Sequence, residues 1–374
     1  MTVDCPPAIL PTVPTFLTDL ETPSLVVDLD VLSQNLDRMA AYCALHGLQL
    51  RPHVKTHKST RVAAEQLRIG AVGLTCATPR ELEVMSSLSD DLLLMHPPVN
   101  RRKTIRLMTL PDSVRLTIGL DSLEAMDRLA DAARNSERVV GVLVEVDTGM
   151  RRVGVQTPVE LLALAARASD DEWLRWRGVA FYPGHVRAPG GDIGPLLGDL
   201  SEQLERFLEP LEAGGFAPSV VSGGSTPAAW RIHEVPGVTE VRPGTYVYND
   251  RTTVELGACE WEDCALTVLA TVVSTAVPGQ AVVDAGSKAL GREPLPSGNG
   301  GWGALLDRPE VTVSRMSEEH GILDLSATDW KPRVGDVLRI VPNHVCYAVH
   351  LADRIHGARG SVVETGWDVE ARGR

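Results

Sequence analysis

The run LRPHVKTHKST, residues 50–60, sets Lys55 between His53 and His57 at the close of an apolar stretch. An amine so placed is a candidate nucleophile, because burial or a nearby cationic imidazole lowers its pKa and frees the lone pair. Lys58, three residues on, reads as an ordinary exposed lysine. Farther along, SGGSTP at 222–227 joins two glycines, Gly223 and Gly224, to the hydroxyls of Ser225 and Thr226 just ahead of a prospective helix start. Backbone N–H groups and hydroxyls in that arrangement make an anion seat. Gly244-Thr245 in VRPGTYVYND repeats the small-plus-hydroxyl pattern. A third group is NHVCYAVH, 343–350. Read as extended chain, it puts His344 and Cys346 on one face, where imidazole and thiolate suit zinc and leave positions for water or substrate. Taken singly, each signal has a plainer reading: a turn for the glycines, two core residues for His-x-Cys.

Together they have a sharper one. An anion seat facing a strand-end amine matches pyridoxal phosphate, whose aldehyde forms a Schiff base with lysine and whose ring serves as an electron sink.

Such residues need a scaffold that brings them to one rim. From residue 30 the chain alternates helical periodicity with short apolar runs. Leu32, Leu36, Met39 and Cys43 recur at helical spacing and Gly47 ends the segment. Apolar runs suggest strands near 49–55, 71–77, 91–96, 114–120, 139–146, 177–182, 218–222 and 238–242. Thr78-Pro79-Arg80-Glu81 and Thr157-Pro158-Val159-Glu160 each offer an N-cap, a first-turn proline and a glutamate for a capping box. Eight strand–helix units predict an α/β fold, a closed (β/α)8 TIM-like barrel, with the chemistry on the loops after the strands. Lys55, His96, FYPGHVR, SGGST and VRPGTYVYND all fall there. An open dinucleotide-binding sheet is disfavoured, since its first strand should run into a glycine-rich turn and here runs into HVKTHK. Beyond residue 255 the runs CALTVLATVVSTAV, QAVVDAG, VTVSRMSEE and DVLRIVPNHVC are β-rich. The expected division is an extended segment 1–29 joining the β domain, a barrel over 30–255, and a C-terminal β domain over 256–374 that carries the metal motif.

The 374 residues, 44% of them hydrophobic, carry a net charge of −13, which argues against nucleic acid or an anionic membrane surface as partner. No apolar run reaches the ~18 residues of a membrane span, and no secretory signal is visible. Six scattered cysteines form no disulfide framework and point to a reducing cytoplasm. The partner expected is a small molecule.

The motifs TPSLVVDLDVLSQNLDRM, RPHVKTHKS, GLTCATPRELEVM, EVDTGMRRVGV, SGGSTP, EVRPGTYVYND, SEEHG and PNHVC, in this order, resemble the D-threonine aldolase and D-serine dehydratase group of the alanine-racemase-like fold (fold type III of pyridoxal-phosphate enzymes). The resemblance spans nearly the whole chain. It implies a homodimer, pyridoxal 5'-phosphate and a divalent metal. It makes Lys55 the Schiff-base lysine, with His53 and Arg152 beside the cofactor, and Tyr182 and His185 on the substrate side as catalytic candidates with Arg152. Ser222, Gly223, Gly224, Ser225, Thr226, Gly244, Thr245 and Tyr246 would hold the cofactor, and His344 and Cys346 the metal. Cysteine at 346, where aldolases carry aspartate, favours zinc over manganese or magnesium and raises the dehydratase option. The implied activity is that of a lyase on β-hydroxy-D-amino acids. Retro-aldol cleavage to glycine and an aldehyde is placed first, with deamination to a keto acid and ammonia as the alternative. A racemase or a non-catalytic cofactor carrier ranks lower: Tyr347 is a poor second base beside the metal motif, and a carrier has no use for that motif.

Overall fold

The computed structural model describes residues 15–373; Cys5 and the first half of the N-terminal segment lie outside them. Eight parallel strands occur where the apolar runs lie, at Gln49–Leu50, Leu74–Cys76, Asp91–Leu94, Arg115–Leu120, Val140–Glu145, Leu174–Ala180, Val220–Gly223 and Glu240–Val241. The eighth pairs back onto the first, Glu240 with Gln49 and Val241 with Leu50. The first meets the second through a bridge between His53 and Thr75 and the hydrogen bonds Val72 N–H to Leu50 O and Val54 N–H to Thr75 O, both 2.9 Å. The cylinder is therefore closed. Strands such as Asp91–Leu94 and Val140–Glu145 are buried along their whole length, as parallel strands covered by helices must be.

Local chemistry explains the helices. Asp28 caps Leu29–Leu45 by accepting the N–H groups of Asp30 and Val31, and Leu32, Leu36, Met39 and Cys43 form its buried stripe. Thr157 and Glu160 close a reciprocal capping box at the start of Pro158–Ser169. The similar sequence at Thr78 behaves differently. Thr78 accepts the Glu81 N–H, but the Glu81 carboxylate turns inward to Lys58 and to the Ala77 N–H. Lys58 is therefore not the exposed lysine its type suggested. It is buried, in a left-handed turn at φ 49°, and ion-paired. A buried ammonium needs its carboxylate, so sequence type alone misplaced it.

The second unit is antiparallel. Leu266–Ser274, Gln280–Val283, Gly321–Asp324, Arg308–Met316, Gly303–Leu305 and Val337–Pro342 pair in that order, and the last returns to the first to close a small barrel. Ser24–Asp28 joins this sheet, antiparallel to Leu266–Ser274 and parallel to Arg354–Arg359. Thr15–Phe16 pairs with Val362–Asp368. Apolar side chains of both units run together in one cluster.

One expectation fails here. The strand expected through residue 346 stops at Pro342, and Val345–Leu351 is a helix with His344 at its N-cap. Proline and the Asn343 turn end the strand, so the same-face argument for His344 and Cys346 does not hold; any pairing must come from the helix start.

Candidate active site

A cavity of about 480 Å³ opens where the barrel's strand ends meet the β domain. It is lined by His53, Lys55, Arg152, Tyr182, Gly224, Ser225, Thr226, Gly244, Thr245, His344 and Cys346. The lining also includes groups that the sequence did not single out: Glu145, Arg187, Arg242 and Asp250. Lys55 is solvent-accessible because it stands in this cavity rather than on the outer surface.

The turn carrying Lys55 is fixed by its two histidines. His53 Nδ1 accepts the Lys55 N–H at 3.4 Å, and His57 Nδ1 accepts the Ser59 N–H at 3.1 Å. With Nδ1 accepting, the His57 proton sits on Nε2 and points to Gln66 Oε1, 3.2 Å away. Burial pushes the His57 pKa down to about 3. Burial, then the charge of Lys55, holds His53 well below its ordinary value. Both rings are neutral, so neither supplies the cationic imidazole considered above. The folded His57 stays unprotonated where the unfolded one, with a pKa of ~6.5, takes a proton. Its contribution to stability is complete above pH 6.5 and is lost as pH falls toward 3. It should cost about 2 kcal/mol at pH 5. Urea unfolding at pH 7 and pH 5 should show this loss in wild type and a smaller one in His57→Gln.

Tyr182 stands between two cations: its ring centroid is 5.8 Å from Lys55 Nζ and 4.9 Å from the Arg152 guanidinium. Arg152 also lies 4.0 Å from Glu145 Oε1. Burial raises the Glu145 carboxyl above the usual range, against the pull of Arg242 and Arg152. The loop holding Arg152 is organised by Asp147, whose carboxylate accepts the N–H groups of Gly149 and Arg151 at 3.0 Å. Gly149 has φ +122°, a conformation that favours glycine.

The anion seat passes a direct test. Ser225 Oγ is buried and has no hydrogen-bond partner, and Gly224, at φ +96°, would meet nothing closer than 3.8 Å if it carried a Cβ. A buried hydroxyl without a partner beside open space is what a phosphate oxygen would satisfy. Arg242 lies behind the seat, donating to Ser222 Oγ at 2.5 Å and to the Phe181 carbonyl at 2.9 Å. Ser222 Oγ donates in turn to Glu240 Oε1 at 2.5 Å, and Glu240 pairs with Arg51 at 2.7 Å. These buried charges are compensated across the barrel floor. The residues present fit pyridoxal phosphate.

Four expected site residues do not line the cavity. His185 packs its ring behind the 147–154 loop, close enough that a Cβ on Gly149 would sit 2.9 Å from Nε2. Ser222 belongs to the buried network just described. Gly223 gives way to the Phe181 ring, which a Cβ would meet at 2.1 Å. Tyr246 is core, its hydroxyl accepting from Gln66 Nε2 at 3.0 Å. Ser222 and Gly223 lie within the seventh strand, His185 in the loop after the sixth and Tyr246 in the single turn Thr245–Val247, so each is kept from the cavity by its own local packing.

The metal motif comes together by a route that spacing did not reveal. Asp250, N-cap of Arg251–Glu255, accepts the Val345 N–H at 3.1 Å and lies 2.9 Å from His344 Nδ1. That leaves Nε2 for another ligand, the carboxylate–histidine arrangement common behind metals. Burial pulls the His344 pKa down, but the Cys346 and Asp250 charges outweigh it and hold it well above the ordinary value. Burial raises the Cys346 thiol, but the His344 charge prevails and lowers it. Cys346 Sγ lies 3.3 Å from Thr56 Oγ1, the residue after Lys55. Among the described residues no group of three or more His, Cys, Asp or Glu side chains could hold a metal. The donor set that fits is imidazole plus thiolate, which suits a borderline ion such as zinc with its other positions open.

A closed barrel with a strand-end lysine, an anion seat after the seventh strand and a β domain against its mouth defines the alanine-racemase class of architecture. The family described as alanine racemase, N-terminal domain, matches residues 27–252, and that described as putative serine dehydratase domain matches 265–358. A D-threonine aldolase of Arthrobacter sp is 31% identical over 366 residues, 96% of this chain and 94% of that one. The crystal structure of D-threonine aldolase from Filomicrobium marinum superposes with a TM-score of 0.88 at 31% identity, covering 98% of this chain and 99% of that one. A variant of D-threo-3-hydroxyaspartate dehydratase, solved in a metal-free form, gives a TM-score of 0.85 at 32% identity, covering 96% and 100%. The chain belongs to the D-threonine aldolase and D-serine dehydratase family, whose members are pyridoxal-phosphate-dependent lyases.

Proposed function

We propose that this protein is a pyridoxal-phosphate- and metal-dependent lyase that cleaves β-hydroxy-D-amino acids between Cα and Cβ, giving glycine and an aldehyde. The observation that carries the reading is the contact of Cys346 with Thr56, which sets the His344–Cys346 donor pair against the Lys55 turn at one cavity. Bound there, pyridoxal phosphate would take up electron density from Cα and a divalent ion would acidify the β-hydroxyl. The chain's own residues do the rest. Ser225, Thr226 and the backbone at Gly224 and Gly244 bind the phosphate. Lys55 Nζ supplies the amine. Asp250 fixes the His344 ring so that Nε2 faces the metal position. Tyr182 and Arg152 line the cavity beside the lysine, the tyrosine ring within cation–π reach of both cations. His185, outside the cavity, is not the base; His96, at the end of the third strand, is the cavity-lining imidazole that we assign to the hydroxyl proton.

The competing outcome, loss of the β-hydroxyl to yield a keto acid and ammonia, is favoured by one feature, the thiolate at Cys346. It would use Lys55 to move the Cα proton. The same reading includes zinc as the metal, a homodimer and a reducing cytoplasm. Support for the last comes from Cys43, Cys76, Cys259, Cys264 and Cys346, all free; among the described residues no helix is long and apolar enough to cross a membrane. Incubation of the holoenzyme with D-threonine and with D-serine, assaying glycine and ammonia separately, decides the reaction. Glycine from D-threonine is expected; ammonia from D-serine with no glycine from D-threonine would overturn the first choice.

A further inference from the structure

The chain leaves the barrel for the β domain through LGACEWEDCAL, residues 256–266. The single turn Trp261–Asp263 reverses its direction, and the Cys264 N–H closes that turn by donating to the Trp261 carbonyl at 3.2 Å. Cys259 and Cys264 stand on the two arms. Both arms are held against one stretch of backbone. The Ala258 N–H donates to the Thr253 carbonyl at 2.9 Å, and the Ala265 N–H to the Tyr248 carbonyl at 2.7 Å. The two thiols meet between the arms, and their hydrogen bond, then burial, pushes the Cys264 thiol above its ordinary pKa. Cys259 Sγ also lies 3.4 Å from Thr253 Oγ1. Both sulfurs are free thiols.

Their access differs. Cys259 is half-buried, whereas Cys264 is buried at the wall of a groove of about 300 Å³ that Trp261 and Glu262 also line. Neither cysteine lines the cavity that holds Lys55. A partly exposed thiol in contact with a second thiol is where oxidation stops at a disulfide. The neighbour captures the first oxidised sulfur before it takes up more oxygen.

We infer that Cys259 and Cys264 are a covalent modification site, at which a peroxide forms a reversible intrachain disulfide. Cys259 sulfur attacks the peroxide, the O–O bond breaks, and a sulfenic acid and one water result. Cys264 sulfur then displaces the sulfenic oxygen, which leaves with the Cys264 proton as a second water. The two sulfurs are oxidised, the peroxide is reduced, and a dithiol reductant reverses the change. The inference stands apart from the lyase reading, since neither sulfur belongs to the catalytic cavity.

Peptide mapping tests it. The two cysteines share one tryptic peptide, residues 252–288, which contains no other cysteine. The reduced holoenzyme is treated with hydrogen peroxide, its remaining thiols are alkylated in denaturant, and the digest is weighed by mass spectrometry. Peptide 252–288 should lose both alkylation sites and be lighter than its dithiol form by two hydrogens. Glutamyl endopeptidase, cutting after Glu260 and Glu262, should leave the outer fragments joined. Dithiothreitol should restore both alkylation sites. Oxidation of Cys346 falls on a separate peptide and does not enter the readout. Cys264→Ser should leave Cys259 as a sulfenic acid that dimedone captures, an adduct far scarcer in wild type. Cys259→Ser should leave Cys264 open to alkylation after the same treatment. Should either variant fold poorly, the wild-type map decides alone. The inference is overturned if both sites survive peroxide or if the peptide gains oxygen without the internal bond. A bond from Cys259 to any other cysteine overturns it too. Absence of turnover with every β-hydroxy-D-amino acid would defeat the lyase reading and leave this map unaffected.

Discussion

Lys55→Ala should abolish turnover of every β-hydroxy-D-amino acid, by roughly a thousandfold or more in kcat. Reconstituted with pyridoxal phosphate, wild-type protein should show an absorption band near ~420 nm, the region expected of a protein-bound Schiff base. Borohydride should then fix the label on the peptide containing Lys55; the variant should show neither band nor label. The geometry makes this specific to one lysine. Lys55 stands in the cavity beside the Gly224–Thr226 seat, whereas Lys58, three residues on, is buried against Glu81 and contributes to folding. Lys58→Ala should therefore destabilise by leaving the Glu81 charge without a partner, about 3 kcal/mol for a broken buried pair, without removing the site of labelling. Thermal unfolding separates the two variants: Lys55→Ala should unfold near wild type and Lys58→Ala well below it. A labelled lysine other than Lys55 would refute the assignment.

What the sequence disclosed, and what it did not, divides along a physical line. Eight strands, the capped helices and the β-rich C-terminal unit were legible because burial imposes periodicity and turns impose residue type within a few positions. The site was legible wherever a motif sits on one loop, as at Lys55 and SGGST. It was illegible where side-chain direction or a long-range partner decides. Whether Ser222 or Ser225 faces the cavity depends on where the strand stops, at Gly223, and on the buried partners Glu240 and Arg242 that claim Ser222, neither of which the apolar run reveals. Arg242, directly after a buried strand, and Glu145, at the end of another, are omissions with a local signal: a charged side chain closing an apolar run needs a partner or a ligand. Asp250, by contrast, meets His344 from 94 positions away, and nothing in either neighbourhood announces it. The metal motif shows the same limit in reverse: the two donors expected on one strand face reach the cavity by a different local geometry, since the strand ends at Pro342 and a helix start, pinned by Asp250, brings them to the barrel.

That dependence on Asp250 leads to the second large effect. Dialysis against a chelator should remove activity by at least about a hundredfold while leaving the ~420 nm band in place, because the lysine and the anion seat lie on the barrel and the metal donors on the β domain. Added zinc should restore turnover. His344→Ala and Cys346→Ala should each reproduce the chelated state, and neither should be rescued at zinc concentrations that saturate wild type. Asp250→Asn is the informative intermediate. Asparagine has one carbonyl oxygen, so it can still accept the Thr253 N–H that Asp250 Oδ1 caps, but it gives up the Oδ2 acceptor that faces the Val345 N–H and His344 Nδ1, and with it the negative charge there. Loss of such a supporting carboxylate typically costs 10- to 100-fold in metal affinity, so the variant should need correspondingly more zinc yet reach a kcat close to wild type when saturated. The thiolate adds a pH sign: a metal-bound sulfur must be deprotonated, so zinc affinity should weaken as pH falls and protons compete for Cys346 and His344. If metal-stripped protein retains full turnover, or if Asp250→Asn leaves zinc affinity unchanged, the donor pair is structural and the Lewis-acid assignment is wrong.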